Sequence, residues 1–237
     1  MARYPGYLTE EEQLKRRAKS SQDFKRRPAF RTVPDRILIV TEGSKTEPDY
    51  FRLLAAELGL TTAKIIIVGD GGSAPKSVVQ ETERILSRDS DFEKVYCVFD
   101  RDRHESYDQA IGMVRGLSER VAYRGKEIHP ITSVPCFEFW YLLHVSDSRK
   151  PYENASSPAD ALIADLKRKR PFEEYSKGRC ASFYSQISPM RQSAISRARA
   201  FLASARDEGS AEHHENPSTR VYLLVEALEG VARNGHS

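Results

Sequence analysis

Long apolar runs are missing from this 237-residue chain. None approaches the roughly 20 residues that span a bilayer, and the basic start lacks the apolar core of a signal peptide, so neither a membrane span nor a secretory leader is expected. The expected location is the cytoplasm. Cysteine is scarce as well. Cys97, Cys136 and Cys180 are too few and too widely spaced for a disulfide framework or a Cys-x-x-Cys zinc site. Cys97 and Cys136 lie in apolar stretches and read as small core residues. There is no internal repeat, no low-complexity block and no Gly-x-x-x-x-Gly-Lys phosphate loop. The last absence weighs against transfer from a bound nucleoside triphosphate.

What is present is an ordinary globular composition, 39% apolar and 30% charged, on a chain long enough to bury a core without staples. The net charge of +3 conceals an asymmetry: the first 36 residues carry +5, which leaves −2 on the remainder. Residues 1–31 hold Lys15, Arg16, Arg17, Lys25, Arg26 and Arg27 with little to bury, and read as a basic, partly disordered arm. Such an arm suits nucleic-acid phosphates, a partner protein or simple solvation.

From Pro34 the pattern alternates strand and helix, the sign of βα units and an α/β fold with a mostly parallel sheet. Strands are expected at Ile37 to Thr41, Lys64 to Val68, Lys94 to Phe99 and Ile128 to Val134. Helices are expected from about Glu47 to Leu58, with Thr46 as N-cap, from Pro75 to Arg88, from Ser106 to Tyr123, and from Pro135 onward. Beyond His144 the strand signal stops. Helices are expected at Ser157 to Arg170 and Gln192 to Arg206, with a last one capped by Asn216-Pro217-Ser218-Thr219. Residues 171–189 read as loop, in which Phe172, Tyr175, Phe183 and Tyr184 pack or stack. The organisation is thus an arm over 1–31, a sheet domain over 32–144 and a helical portion over 145–237. Glu212-His213-His214-Glu215 is metal-like in composition, but its place in a polar loop favours a structural role.

Two strands end abruptly in acids: Ile37-Leu-Ile-Val-Thr-Glu42-Gly43 and Val95-Tyr-Cys-Val-Phe-Asp100-Arg101-Asp102. Side by side, they put Glu42, Asp100 and Asp102 at one sheet edge. Clustered carboxylates repel unless a divalent cation lies between them, and hard oxygen donors suit magnesium or manganese. Asp100 and Asp102, two apart in an extended segment, point the same way and reach one ion. This arrangement points to metal-dependent phosphoryl-transfer chemistry. Lys45 and Arg101 are candidate phosphate donors. Glu47 is either a first-turn acid favoured by the helix dipole or a further metal ligand. Glu138, among Phe137, Phe139 and Trp140, is costly to bury unpaired and so reads as a site residue. His104 is a proton donor or a surface histidine.

Glu-Gly after the first strand and Asp-x-Asp after a later one resemble the Toprim domain of topoisomerases, bacterial primases and overcoming-lysogenization-defect nucleases. The fuller set of motifs is narrower. Ile-Val-Thr-Glu42-Gly43-Ser-Lys45-Thr-Glu47-Pro-Asp-Tyr50-Phe51, Cys97-Val-Phe-Asp100-Arg101-Asp102, Pro135-Cys136-Phe137-Glu138-Phe-Trp140 and Asn216-Pro217-Ser218-Thr219 resemble the RloB family over about Arg36 to Leu228. Where that family's pattern has Asn before Pro-Cys-Phe-Glu, this chain has Val134.

The resemblance implies a Toprim-like (Rossmann-like) sheet followed by a helical C-terminal portion. It also implies that Glu42 acts as general acid or base, that Asp100 and Asp102 hold Mg2+ or Mn2+, and that Glu138 serves a second metal. The implied activity is a metal-dependent nuclease on DNA or RNA in antiviral or abortive-infection defence, beside an RloA-like ATPase partner. The competing expectation is a non-catalytic module that binds nucleic acid or a nucleotide. The oligomeric state stays open.

Overall fold

Side-chain alternation along β1 (Ile37–Thr41) decides the architecture. Ile37 and Ile39 enter one apolar cluster, Leu38 and Val40 another, and all four are fully buried. A strand buried on both faces needs helices on both sides of its sheet. β2 (Ile65–Val68), β3 (Lys94–Asp100) and β4 (Glu127–Val134) run parallel to β1 in the spatial order β2-β1-β3-β4. A two-residue β5 (Ser218–Thr219) closes the order antiparallel to β4. The computed structural model describes residues 36–234 except 63, 70, 71, 73, 103 and 153–155. The basic residues from Lys15 to Arg27 therefore lie outside the described residues, and so does the expectation placed on them.

The two helix layers follow from the strand faces. α2 (Pro75–Arg88) and α3 (Tyr107–Glu119) cover Leu38, Val40, Val95, Cys97 and Phe99. Cys97 is a core residue here; its Sγ lies 3.3 Å from the Thr82 hydroxyl. α1 (Thr46–Glu57) covers the opposite face through Tyr50, Phe51 and Leu54. That same face receives α4 (Glu138–Val145), α5 (Pro158–Leu166), α6 (Tyr184–Ile187), α7 (Arg191–Asp207) and α8 (Val221–Asn234). Residues before and after 144 share this core, and Pro34–Ser237 is one compact unit. Among the described residues no helix is long and apolar enough to cross a membrane.

Four local expectations are corrected. Lys45, not Thr46, occupies the N-cap of α1 and makes no side-chain cap bond. α4 begins at Glu138 rather than Pro135, because the turn before it closes by three-residue bonds, Phe139 N–H to the Cys136 carbonyl and Trp140 N–H to the Phe137 carbonyl, while the Phe137 N–H caps onto Asp100. α5 ends at Leu166, four residues before Arg170, with Ser157 as its N-cap accepting from the Asp160 N–H at 3.2 Å. Ser218 and Thr219 do not merely cap the last helix. They pair with Val134 and Ser133 as β5, and the Thr219 hydroxyl also accepts from the Val221 N–H.

The aromatic residues of 171–184 pack rather than stand free. Phe172, Tyr175 and Phe183 ring Tyr141 of α4 at centroid distances of 6.0, 6.0 and 5.1 Å. The Phe172 ring stacks on Tyr141 and the other two meet it edge-to-face, and buried aromatic pairs of either kind contribute about 0.5–1.5 kcal/mol each beyond their area. The segment is therefore anchored to α4, and it carries Lys177 and Gly178 to the C-terminal edge of the sheet. The Glu212–Glu215 loop is structural. Tyr107 donates to the His213 carbonyl at 2.7 Å, His213 Nδ1 lies 2.9 Å from the Thr132 hydroxyl, and Glu215 forms a buried bidentate pair with Arg220.

Candidate active site

In an open α/β sheet, ligands bind beyond the carboxyl ends of the strands, where the chain leaves neighbouring strands in opposite directions. In the order β2-β1-β3-β4 that point lies between β1 and β3, because α1 leaves β1 on one face while α3 leaves β3 on the other. A cleft of about 420 Å³ opens there. Among the described residues its walls carry five carboxylates, Glu42, Glu47, Asp100, Asp102 and Glu138, together with Lys45, His104 and Lys177.

Each acid is delivered by a different local device. The Thr41 hydroxyl donates to the Gly43 carbonyl at 2.9 Å and turns the chain at the end of β1, so Glu42 bends over β3. Glu42 Oε2 accepts the Asp100 N–H at 3.2 Å, and Oε1 lies 3.1 Å from His104 Nε2. Beyond β3 the ladder continues irregularly. Arg101 N–H donates to the Ser133 carbonyl and Asp102 N–H to the Pro135 carbonyl, both at 2.9 Å, with Asp102 at φ +29°. Asp100 Oδ2 accepts the Phe137 N–H at 3.0 Å, which ties β3 to the start of α4. Glu47 comes from the first turn of α1 and Glu138 from the first turn of α4. Glu138 is 2% exposed, and its Oε1 accepts the Tyr175 hydroxyl at 2.7 Å.

The charges do not balance. Burial raises Glu47 to about 7, with the Glu138 and Glu42 charges adding to it. Burial also raises Asp100 well above the carboxylate range, reinforced by Glu47, Glu138 and Glu42. Glu42 is raised by burial, partly offset by the Asp100 N–H and His104. For Lys177 burial works downward, but Glu138, Cys136, Asp100 and Glu47 outweigh it and hold the ammonium above its usual value. Such a cluster reaches neutrality by taking up protons or cations.

The donor set is all hard oxygen and fits magnesium or manganese in kind and in charge. In these side-chain positions, however, no group of three or more His, Cys, Asp or Glu side chains among the described residues stands ready to hold an ion. Chelation would need rotamer changes within the cleft.

Of the residues singled out from sequence, Glu42, Lys45, Glu47, Asp100, Asp102 and Glu138 line this one cleft. Arg101 does not. Its guanidinium donates to the His214 carbonyl at 3.3 Å, away from the cleft, and because β3 ends at Asp100 and Asp102 sits at φ +29° the two aspartates do not share an extended segment as the sequence suggested. Lys177 was not anticipated. It lies in an irregular stretch, and only the aromatic spacing around it hinted that this stretch is fixed. Gly178 at φ +81° lets the neighbouring backbone lie against Lys45: a Cβ there would meet Lys45 Cδ at 3.0 Å.

A family model described as RloB-like protein matches residues 37–228. That span covers most of the chain, and the chain belongs to this family. No curated protein and no solved structure matches it.

Proposed function

We propose that this RloB-like protein is a divalent-cation-dependent phosphodiesterase acting on nucleic acid. The observation that carries the reading is the meeting, among the described residues, of five carboxylates and two lysines in one cleft at the β1–β3 edge. In this reading Asp100, Asp102, Glu138 and Glu47 would hold Mg2+ or Mn2+. The bound ion would neutralise phosphate charge and lower the pKa of water.

Glu42 moves the proton at the attacking or leaving oxygen, the role a Toprim-type assignment gives it. Its raised proton affinity and the adjacent His104 imidazole suit that exchange. Lys45 and Lys177 bind the phosphate oxygens by charge-assisted hydrogen bonds. A role in phage defence beside an ATPase partner belongs to the same proposal.

The test is incubation of the full chain with labelled DNA and RNA in Mg2+ or Mn2+. Cleavage is expected, with loss in Glu42→Ala and Asp100→Ala. A second reading, a binding module without catalysis, draws on the lack of a preformed ion cage among the described residues and on the bonds that already engage Glu42. Binding without cleavage under either metal would favour it.

A further inference from the structure

Segment 167–179, Lys-Arg-Lys-Arg-Pro-Phe-Glu-Glu-Tyr-Ser-Lys-Gly-Arg, carries six cations and two acids. Its charge of +4 stands out because residues 37–237 sum to −2. Lys167, Arg168, Lys169, Arg170, Lys177 and Arg179 are all exposed. Some of this charge is met locally: Arg168 pairs with Asp165 at 2.8 Å and Arg170 with Glu173 at 3.2 Å. The remaining acid, Glu174, leaves the segment strongly basic.

A second cleft of about 460 Å³ opens along this segment, with Arg170 and Arg179 on its walls beside Glu173, Glu174 and Gln186. Tyr175 lies between the two clefts. It lines the second one, while its hydroxyl bonds at 2.7 Å to Glu138, which lines the first. The two spaces are thus one tyrosine side chain apart, and Lys177, at the mouth of the carboxylate cleft, lies two residues before Arg179. A mononucleotide in the carboxylate cleft would leave these arginines idle. A strand continuing from it meets further cations on its backbone.

We propose that the groove lined by Arg170 and Arg179 is a polynucleotide-backbone subsite continuous with the carboxylate cleft, which makes the substrate a polymer rather than a free nucleotide. This rests on the phosphodiesterase reading for the direction of the strand. It is nonetheless testable without cleavage, because binding is measured in EDTA. The groove contributes phosphate contacts through arginine and no base readout, since Tyr175 and Phe183 are buried in the core.

The experiment titrates the full chain and its Arg170→Ala/Arg179→Ala variant with a fluorescein-labelled single-stranded 30-mer, as DNA and as RNA, by anisotropy over a range of salt concentrations. Removing two phosphate contacts is expected to weaken binding on the order of tenfold and to flatten the log–log salt slope by about 1.4. Arg170→Lys/Arg179→Lys, which keeps the charge, is expected to restore most of both. Circular dichroism and the thermal midpoint establish that each variant is folded. An unchanged affinity and slope in the folded alanine variant overturns the subsite. So does a wild type that binds poly-glutamate but neither oligonucleotide, an outcome that makes the groove a dock for an acidic protein. Binding that behaves as expected, with no cleavage once metal is added, retains the subsite and rejects the phosphodiesterase.

Discussion

The Asp100 N–H donates to Glu42 Oε2 at 3.2 Å, joining residues 58 positions apart at the lip of the sheet. The bond fixes the end of β1 against the end of β3 and leaves both carboxyls facing one space. Among the described residues no arginine lines that space; its cations there are Lys45 and Lys177, with His104 on Glu42. The acids there are an electrostatic liability of the free protein, since burial and mutual repulsion raise Asp100 and Glu47.

That liability has a measurable sign. Asp100→Asn removes one of the repelling charges while keeping a group that accepts from the Phe137 N–H. In EDTA at pH 7.5 its thermal midpoint is expected to rise by several degrees, roughly 1 kcal/mol of stability. Millimolar Mn2+ is expected to raise the wild-type midpoint and to do little for the variant. A variant less stable than wild type in EDTA, or an equal response of both proteins to Mn2+, would contradict the account of the acid cluster.

Glu138 is buried against Tyr175, and this contact also holds the 175–179 segment over the cleft. Tyr175→Phe keeps the ring packing on Tyr141 and deletes only the hydroxyl. A hydrogen bond to a charged group contributes about 1.5–3 kcal/mol, so chemical denaturation should show a loss of that size. If the phosphodiesterase reading holds, KM for an oligonucleotide should rise as Lys177 and Arg179 loosen. A loss below about 0.5 kcal/mol would mean that Glu138 finds another donor.

His213 gives a pH dependence. Burial lowers it to about 4 from its usual 6.5, with Arg220 adding to the effect. Between those values the unfolded chain binds more protons than the folded one, so stability falls as pH is lowered from about 6.5 toward 4. His144, also lowered to about 4 by burial, adds the same sign, whereas the raised Glu47 opposes it. The isolating comparison is His213→Asn. Asn tolerates the φ of +68° at this position and can still bond Thr132. The variant should lose less stability than wild type between pH 6.5 and 5. Parallel stability curves for the two proteins would remove His213 as the cause.

Arg220 and Glu215 form an ion pair whose side chains are 7% and 4% exposed. Breaking such a pair from one side strands a buried charge, so Arg220→Met should destabilise by about 3–5 kcal/mol. Replacing both partners, with Glu215→Leu added, should recover much of that loss. A double-mutant cycle with no coupling would show that the two side chains contribute independently.

The sequence by itself determined the sheet and its acids. The short, continuous, β-branched and aromatic runs at Ile37–Thr41 and Lys94–Asp100 read as strands buried on both faces, and a chain that alternates them with helices builds a parallel sheet. The acids that end those strands then fall at the same edge. The direction of Arg101 was not legible: beside two acids it reads as a phosphate donor, and only the folded chain turns its guanidinium to the His214 carbonyl. What the tertiary structure alone decided lies where the chain has no period. Lys177 reaches the cleft, with Tyr175 against Glu138 and Gly178 against Lys45, because Phe172, Tyr175 and Phe183 pack around Tyr141, a long-range contact that no local pattern specifies. Ser218 and Thr219 likewise are too short a run to announce a strand and become one only because β4 offers them a free edge. Local periodicity fixes which face a residue shows; which distant loop meets that face is chosen by packing.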